Sequence, residues 1–339
     1  MRFLTVLLLL VSSALGQSES QPRFTNYGWY PAPEEVTKVA DKLKFYSDQI
    51  QALPVRDDTS ALNYAFLCQL LDVKILPTLD QGPVGACVGF ATARAADITA
   101  AADICHRREA EEWRALFSPE ALYAIGRQQA GRLGTWDGST GAWSVDGLQK
   151  LGTLHQLTYD ETDLTAYSPA RAKAWAAQGV PSGLLPTAKE HPFLSAGLVT
   201  TTEQAKAALQ NGYPLITCSM ISYPSVRDSD GFLKANGRRW AHAMCVAAYR
   251  SASTGREGFL IINSWRCSSH SNGWVTGPIW PTEDADFPQP IGSFWVSPAD
   301  LQLHLSYNDT WAISGYQGFA KRELEWPEVF SQAGGTTRE

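Results

Sequence analysis

Apolar positions recur at helical spacing through the first half of the chain and in strand-like runs through the second. From Glu34 to about Leu53, Val36, Val39, Ala40, Leu43 and Tyr46 fall on one helical face. A second helical run surrounds Ala61 to Leu71, and Leu76-Pro77 then leads into a loop that starts near Gln81. Val88 to Ile104 is Ala-rich, with no Pro and no Gly after Gly89, which predicts a long helix. Ser118-Pro119-Glu120 reads as an N-cap followed by Pro at the first helical position, opening a helix over Pro119–Gln129. Gly131 to Gly141 is Gly-rich loop, and Ser144 to Leu151 is a further short helix.

The pattern changes near residue 200. Thr202 to Asn211 is helical and ends at Asn211-Gly212. Pro214 to Ile221, Ala241 to Tyr249 and Gly258 to Asn263 are strand-like, and Phe294-Trp295-Val296 continues the β character. Helices followed by a sheet predict an α+β architecture. Neither an internal repeat nor a low-complexity segment interrupts it.

The chain has 339 residues, 44% hydrophobic, which is enough for one large or two modest domains. Its charges are interspersed and sum to −6, with no basic block of the kind that binds nucleic acid or anionic membranes. Met1 to Gly16 has the form of a secretory signal: Arg2, the apolar run Leu4 to Val11, then small residues at Ala14-Leu15-Gly16 before Gln17. The run is too short for a permanent anchor, so the expectation is a secreted, extracytoplasmic protein with no stable membrane insertion after signal cleavage. The six cysteines are at 68, 87, 105, 218, 245 and 267; export permits disulfides without requiring them, and Cys218 and Cys245 sit in apolar runs that suit buried thiols.

The candidate chemistry is a thiol, an imidazole and a carboxamide in that order. Cys87 stands at the start of the Ala-rich helix, where unpaired N–H groups and the helix dipole favour a thiolate. His242 begins a strand and can act as base or counter-charge near neutral pH. Asn263 ends the next strand, where it can orient the imidazole without adding charge. Gln81 lies six residues before Cys87 on a Gly/Pro loop, so its amide and the Cys87 N–H are candidate oxyanion donors. Trp265 reads as a shield over an Asn–His hydrogen bond or as core filling, and Trp274 as a candidate wall of a cleft or an ordinary packed aromatic. Asp228-Ser229-Asp230-Gly231 lacks the remaining ligands of a Ca²⁺ loop and reads as a solvated turn. The other histidines lack zinc-ligand spacing with the cysteines, so no metal is expected. Asn308-Asp309-Thr310 is a glycosylation sequon.

With these residues in place, the sequence resembles the papain family of cysteine peptidases. Gln81–Cys87 resembles its Gln-Gly-x-Cys-Gly-Ser-Cys segment, His242-Ala243-Met244 its His-Ala-Val strand, and Asn263-Ser264-Trp265 matches Asn-Ser-Trp. Phe117–Leu122, Lys206–Leu209 and Pro214-Leu215 are weaker echoes in the same order, and Gly141-Ala142 falls where the family has cleft-lining glycines. The likeness spans about residues 70 to 315. It departs at Val84, Val88 and Arg266, where the family has Cys, Trp and Gly, and at the segment from Trp274 to Ile291.

The resemblance implies a papain-like fold with a helical half, a β-rich half and an active site in the cleft between them. It divides the chain into a signal over 1–16, an N-terminal extension or pro-region over 17–72, a peptidase domain over 73–320 (helical to about 200, β-rich from about 201) and a tail over 321–339. It implies catalytic Cys87, His242, Asn263 and Gln81, substrate contacts at Gly141, Ala142, Trp265 and Trp274, no cofactor, and a protein or peptide substrate hydrolysed through a thioester. The same Cys–His pair also serves acyltransferases and transpeptidases, and a non-catalytic binding module on a papain scaffold is the remaining alternative.

Overall fold

The computed structural model describes residues 25–26, 28–107, 112–265, 274–324 and 326. The expected signal over 1–16, the Arg266 departure, Cys267, His270 and the tail beyond 326 lie outside the described residues. Ten α-helices among these residues are α1 (Pro33–Lys42), α2 (Lys44–Gln51), α3 (Tyr64–Leu71), α4 (Cys87–Arg107), α5 (Pro119–Gln129), α6 (Gly141–Leu151), α7 (Pro169–Gln178), α8 (Leu185–Ala188), α9 (Thr202–Gln210) and α10 (Pro298–Leu305). The strands are β1 (Thr25–Asn26), β2 (Thr158–Tyr159), β3 (Thr162–Asp163), β4 (Ser195–Leu198), β5 (Leu215–Ile221), β6 (Arg239–Arg250), β7 (Gly258–Ile262), β8 (Ser293–Val296) and β9 (Thr310–Ser314).

The mixed helix–sheet architecture matches the α+β expectation. The single helix expected over Glu34–Leu53 is two, α1 and α2, because Leu43 leaves helical geometry at ψ 10° and is buried there.

The Ala-rich segment forms α4, which is buried on every side from Cys87 to Thr99. Its many Ala residues let neighbours approach on every side, and the buried polar residues among them include Thr92, Arg94, Asp97 and Thr99. Gly89 shows the tightness: a Cβ there would lie 2.4 Å from the Pro119 carbonyl oxygen at the start of α5. Ser118 caps α5 as the motif predicts, its Oγ accepting the Ala121 N–H at 3.2 Å. Ser118→Ala should cost about 1 kcal/mol, read as a lower urea midpoint at unchanged slope.

The main sheet runs β4-β9-β5-β6-β7-β8, its neighbours antiparallel, and β1 adds to β6 in parallel. α4 covers one face of β5 and β6, while α9 and α10 cover the other. That double cover is why β5 and β6 read as nearly continuous apolar runs rather than alternating ones. The core reaches upstream of residue 73: Tyr64 to Cys68 of α3 are buried against α4, and Ala61 pairs with Tyr249. The 274–291 segment folds back on the sheet, where Trp295 Nε1 donates to the Trp280 carbonyl at 2.6 Å and the Arg250 guanidinium lies 3.7 Å above the Trp280 ring.

Candidate active site

The loop from Gln81 to Ala86 delivers Cys87 to the first position of α4, against β6. The Ala243 N–H points at the Cys87 sulfur and, with the N–H groups of Val88 and Cys87, favours the thiolate. Burial outweighs them and pushes the thiol up to about 12. Ala243 follows His242 directly, so the thiol meets β6 beside the imidazole.

β6 and β7 pair through Cys245 and Ile262, which brings Asn263, just past β7, to His242. His242 Nε2 and Asn263 Oδ1 are 2.7 Å apart. Asn263 Oδ1 also accepts the Ser264 backbone N–H at 2.7 Å, which fixes the amide orientation because that N–H can only donate. It follows that His242 Nε2 carries the proton and Nδ1 the lone pair of the neutral ring. Trp265 stacks on the imidazole with ring centroids 4.3 Å apart and 27° between planes. Burial lowers the His242 pKa to about 4, opposed by the Asn263 hydrogen bond. Burial thus favours the neutral thiol and the neutral imidazole over the ion pair.

Gln81 closes the group. Its Nε2 donates to the Val84 carbonyl at 2.9 Å, and its Oε1 accepts the Ser264 hydroxyl at 2.8 Å. Its backbone N–H donates to the Ser264 carbonyl at 3.0 Å. Hydrogen bonds thus join His242, Asn263, Ser264 and Gln81, and Cys87 lies by the Ala243 N–H, the next residue along β6 from His242. Ser264 was given no role in the sequence reading, although it is the middle residue of Asn-Ser-Trp.

The remaining candidates divide. Trp274 and Trp265 are half-buried and meet edge to face at 5.5 Å, with Trp240 5.4 Å from Trp274, forming an aromatic wall beside His242. Gly141 and Ala142 are buried at the start of α6, and both N–H groups donate to the Asp309 carboxylate at 2.9 Å. Ser139, two residues earlier, presents its backbone to the groove instead.

The groove's occupant is the chain itself. Thr25 and Asn26 pair in parallel with Trp240 and Ala241, immediately before His242. The Trp29 N–H donates to the Ala241 carbonyl at 3.3 Å. Gly28 and Tyr30 grip Ser139 from either side through backbone bonds of 2.8 Å each. At Gly28, with φ +120°, a Cβ would lie 2.1 Å from the Gly85 oxygen, two residues from the thiol. This strap bridges the two halves. Trp29 lies in the segment that the sequence assigns to an N-terminal extension or pro-region, where the aromatic pair Trp29-Tyr30 is the available signal.

Among the described residues, no group of three or more His, Cys, Asp or Glu is arranged to hold a metal. Asp228 forms a turn, accepting the Asp230 and Phe232 N–H groups and pairing with Arg256. Cys68, Cys87, Cys105, Cys218 and Cys245 are free thiols.

No protein-family model and no curated protein matches the chain. Among solved structures, it is similar to xylellain, a cysteine protease from Xylella fastidiosa, with TM-score 0.51 and 17% identity over 88% of this chain and 95% of that one. Procathepsin B S9 from Trypanosoma congolense gives TM-score 0.48 at 12% identity, over 79% of this chain and 80% of that one. Bromelain from Ananas comosus gives 0.40 at 13%, over 71% of this chain and 94% of that one. The chain has the papain-like fold, the scaffold of cysteine proteases. Among the described residues no helix is long and apolar enough to cross a membrane.

Proposed function

We propose that this chain is an exported cysteine-type endopeptidase acting through Cys87, His242, Asn263 and Gln81. The observation that carries this is the hydrogen-bonded group His242, Asn263, Ser264 and Gln81, with Cys87 beside Ala243, the residue that follows His242. In the reaction, His242 Nδ1 takes the Cys87 proton and the thiolate attacks a peptide carbonyl. Gln81 Nε2 and the Cys87 N–H stabilise the oxyanion, and Asn263 holds the imidazolium. His242 then protonates the leaving amine, and water attacks the thioester to release the acid and regenerate the thiol.

The thiolate–imidazolium pair needs a wetter site than the strap allows. Thr25, Asn26 and Gly28 to Tyr30 act as a cover on the groove, and the dry, neutral pair is the latent form. When the strap leaves, water enters, burial weakens and the ion pair becomes accessible. The strap's backbone bonds to Ala241 and Ser139 support this reading, and they make the N-terminal extension a regulator of the site rather than a spacer.

A peptidyl epoxide should label Cys87, located by peptide mass mapping, in the same preparation that hydrolyses a fluorogenic peptide. Absence of both from an opened protein would leave a binding module. Product transfer to an added amine, in preference to water, would make the enzyme an acyltransferase. Export is tested separately by sequencing the N-terminus of the secreted protein: a start near Gln17 is expected, and a start at Met1 would refute it.

A further inference from the structure

The segment from Trp274 to Ile291 encloses a cavity of about 670 Å³ with the stretch that leads into the Gln81 loop. The two stretches are joined where the Ile291 N–H donates to the Leu76 carbonyl at 3.2 Å. Ile75, Ile279, Pro288 and Ile291 give the cavity apolar walls, and Arg227 and Lys74 are its cations. Glu283 and Asp284 also line it, and both are exposed. Neither Cys87, His242, Asn263 nor Gln81 borders it. The volume suits a small ligand.

Arg227 is the residue that calls for an occupant. It is 6% exposed, and among the described residues no carboxylate pairs with it. Its Nη1 donates to the Ser293 carbonyl at 2.6 Å and its Nη2 to the Gly277 carbonyl at 2.9 Å, both neutral acceptors. Its Nε has no acceptor. Burial pulls its pKa down to about 10. A buried guanidinium without a counter-charge is costly, and a carboxylate is the partner that fits its planar fork. The side chain is anchored where it stands. The same Ser293 carbonyl accepts Gln289 Nε2 at 2.8 Å, and Gln289 Oε1 accepts the Trp280 N–H at 2.9 Å.

The two acids set the rest of the ligand. A plain inorganic anion is repelled by Glu283 and Asp284 on its way to Arg227. A ligand with a cationic far end is attracted by both groups. A short peptide has a carboxylate for Arg227 and Lys74, an ammonium for the acids, and side chains for the isoleucine walls.

We propose that this cavity binds short zwitterionic peptides with aliphatic side chains, the carboxylate on Arg227 and Lys74 and the ammonium toward Glu283 and Asp284. The site is separate from the hydrolase reading, since the two share no residue.

Titration calorimetry of the full-length chain with leucyl-leucine tests this. A single saturating site is expected. Leucyl-leucine amide, which lacks the carboxylate, should bind about tenfold or more weakly, the factor for a charge-assisted hydrogen bond. N-acetyl-leucyl-leucine, which lacks the ammonium, should lose only about threefold, because the acids are exposed. Arg227→Met should abolish saturation. Lys74→Glu changes an exposed position, so its fold should survive, and it should weaken the dipeptide by about tenfold. Equal binding of the dipeptide and its amide, or no saturable heat from the folded protein at millimolar dipeptide, would overturn the proposal. Inorganic phosphate binding as tightly as the dipeptide would also overturn it, by reducing the cavity to a plain anion site.

Discussion

Cys87→Ala, in a protein whose strap has been opened, should lose peptide hydrolysis by about a thousandfold or more, since Cys87 supplies the sulfur of the thioester. The loss should fall on kcat with substrate binding retained, because Gln81 and the groove backbone at Ser139 and Ala241 are untouched. Folding should survive. The residue opens a helix in which Ala is the most favourable occupant, and the sulfur's removal empties only a small volume against Ala243. The melting temperature should therefore fall by a few degrees at most, by circular dichroism. Undiminished hydrolysis by a folded Cys87→Ala protein would end the cysteine-peptidase reading.

Gly28→Val should have the second largest effect, in the opposite direction. Gly28 has φ +120°, a conformation denied to a β-branched residue, and the new Cβ would lie 2.1 Å from the Gly85 oxygen. Neither backbone can yield without moving the loop that presents Cys87, so the strap must lift. Peptide hydrolysis and Cys87 alkylation at pH 7 should both rise by about tenfold to a hundredfold, the range set by 1–3 kcal/mol of strain. The pH dependence separates opening from a general loosening. With the strap seated, burial pushes the thiol up to about 12, so alkylation climbs steadily as pH rises through and beyond neutrality. In the opened protein the ion pair forms, thiolate is present at neutral pH, and the alkylation profile should flatten there. A Gly28→Val protein with the parent's rate and profile would show that residues 25–30 do not control the site.

The strap also bears on what lies upstream of residue 73. Tyr64 to Cys68 pack on α4 in the main core, and Ala61 pairs with Tyr249, so this part of the N-terminal region is built into the fold. The strap is different in kind: its grip is a handful of backbone bonds, one indole and a glycine-on-glycine contact. Control of the groove therefore requires the departure of a few residues and leaves the core intact.

Much of this molecule was legible along the chain. Helix α4 follows from the Ala-rich run that opens at Cys87, α5 from Ser118-Pro119, and β5 to β7 from apolar runs bounded by turn residues, because each depends on near neighbours in sequence. The residue types of the site were legible for the same reason, each marked by its local setting. The division of α1 from α2 was not, since Leu43 is turned inward by a core made of distant segments. Nor was the role of Ser139 in place of Gly141 and Ala142: the latter pair looked free to line a groove until Asp309, far downstream, took both their N–H groups. The sequence determined which chemical groups the chain carries and the elements that hold them. Only the tertiary structure decided that Ser264 ties Gln81 to Asn263, that Trp29 lies on Asp309, and that Gly28 packs against Gly85, two residues before the thiol. Those contacts close across most of the chain's length, and they depend on strand register and helix packing that no local pattern encodes.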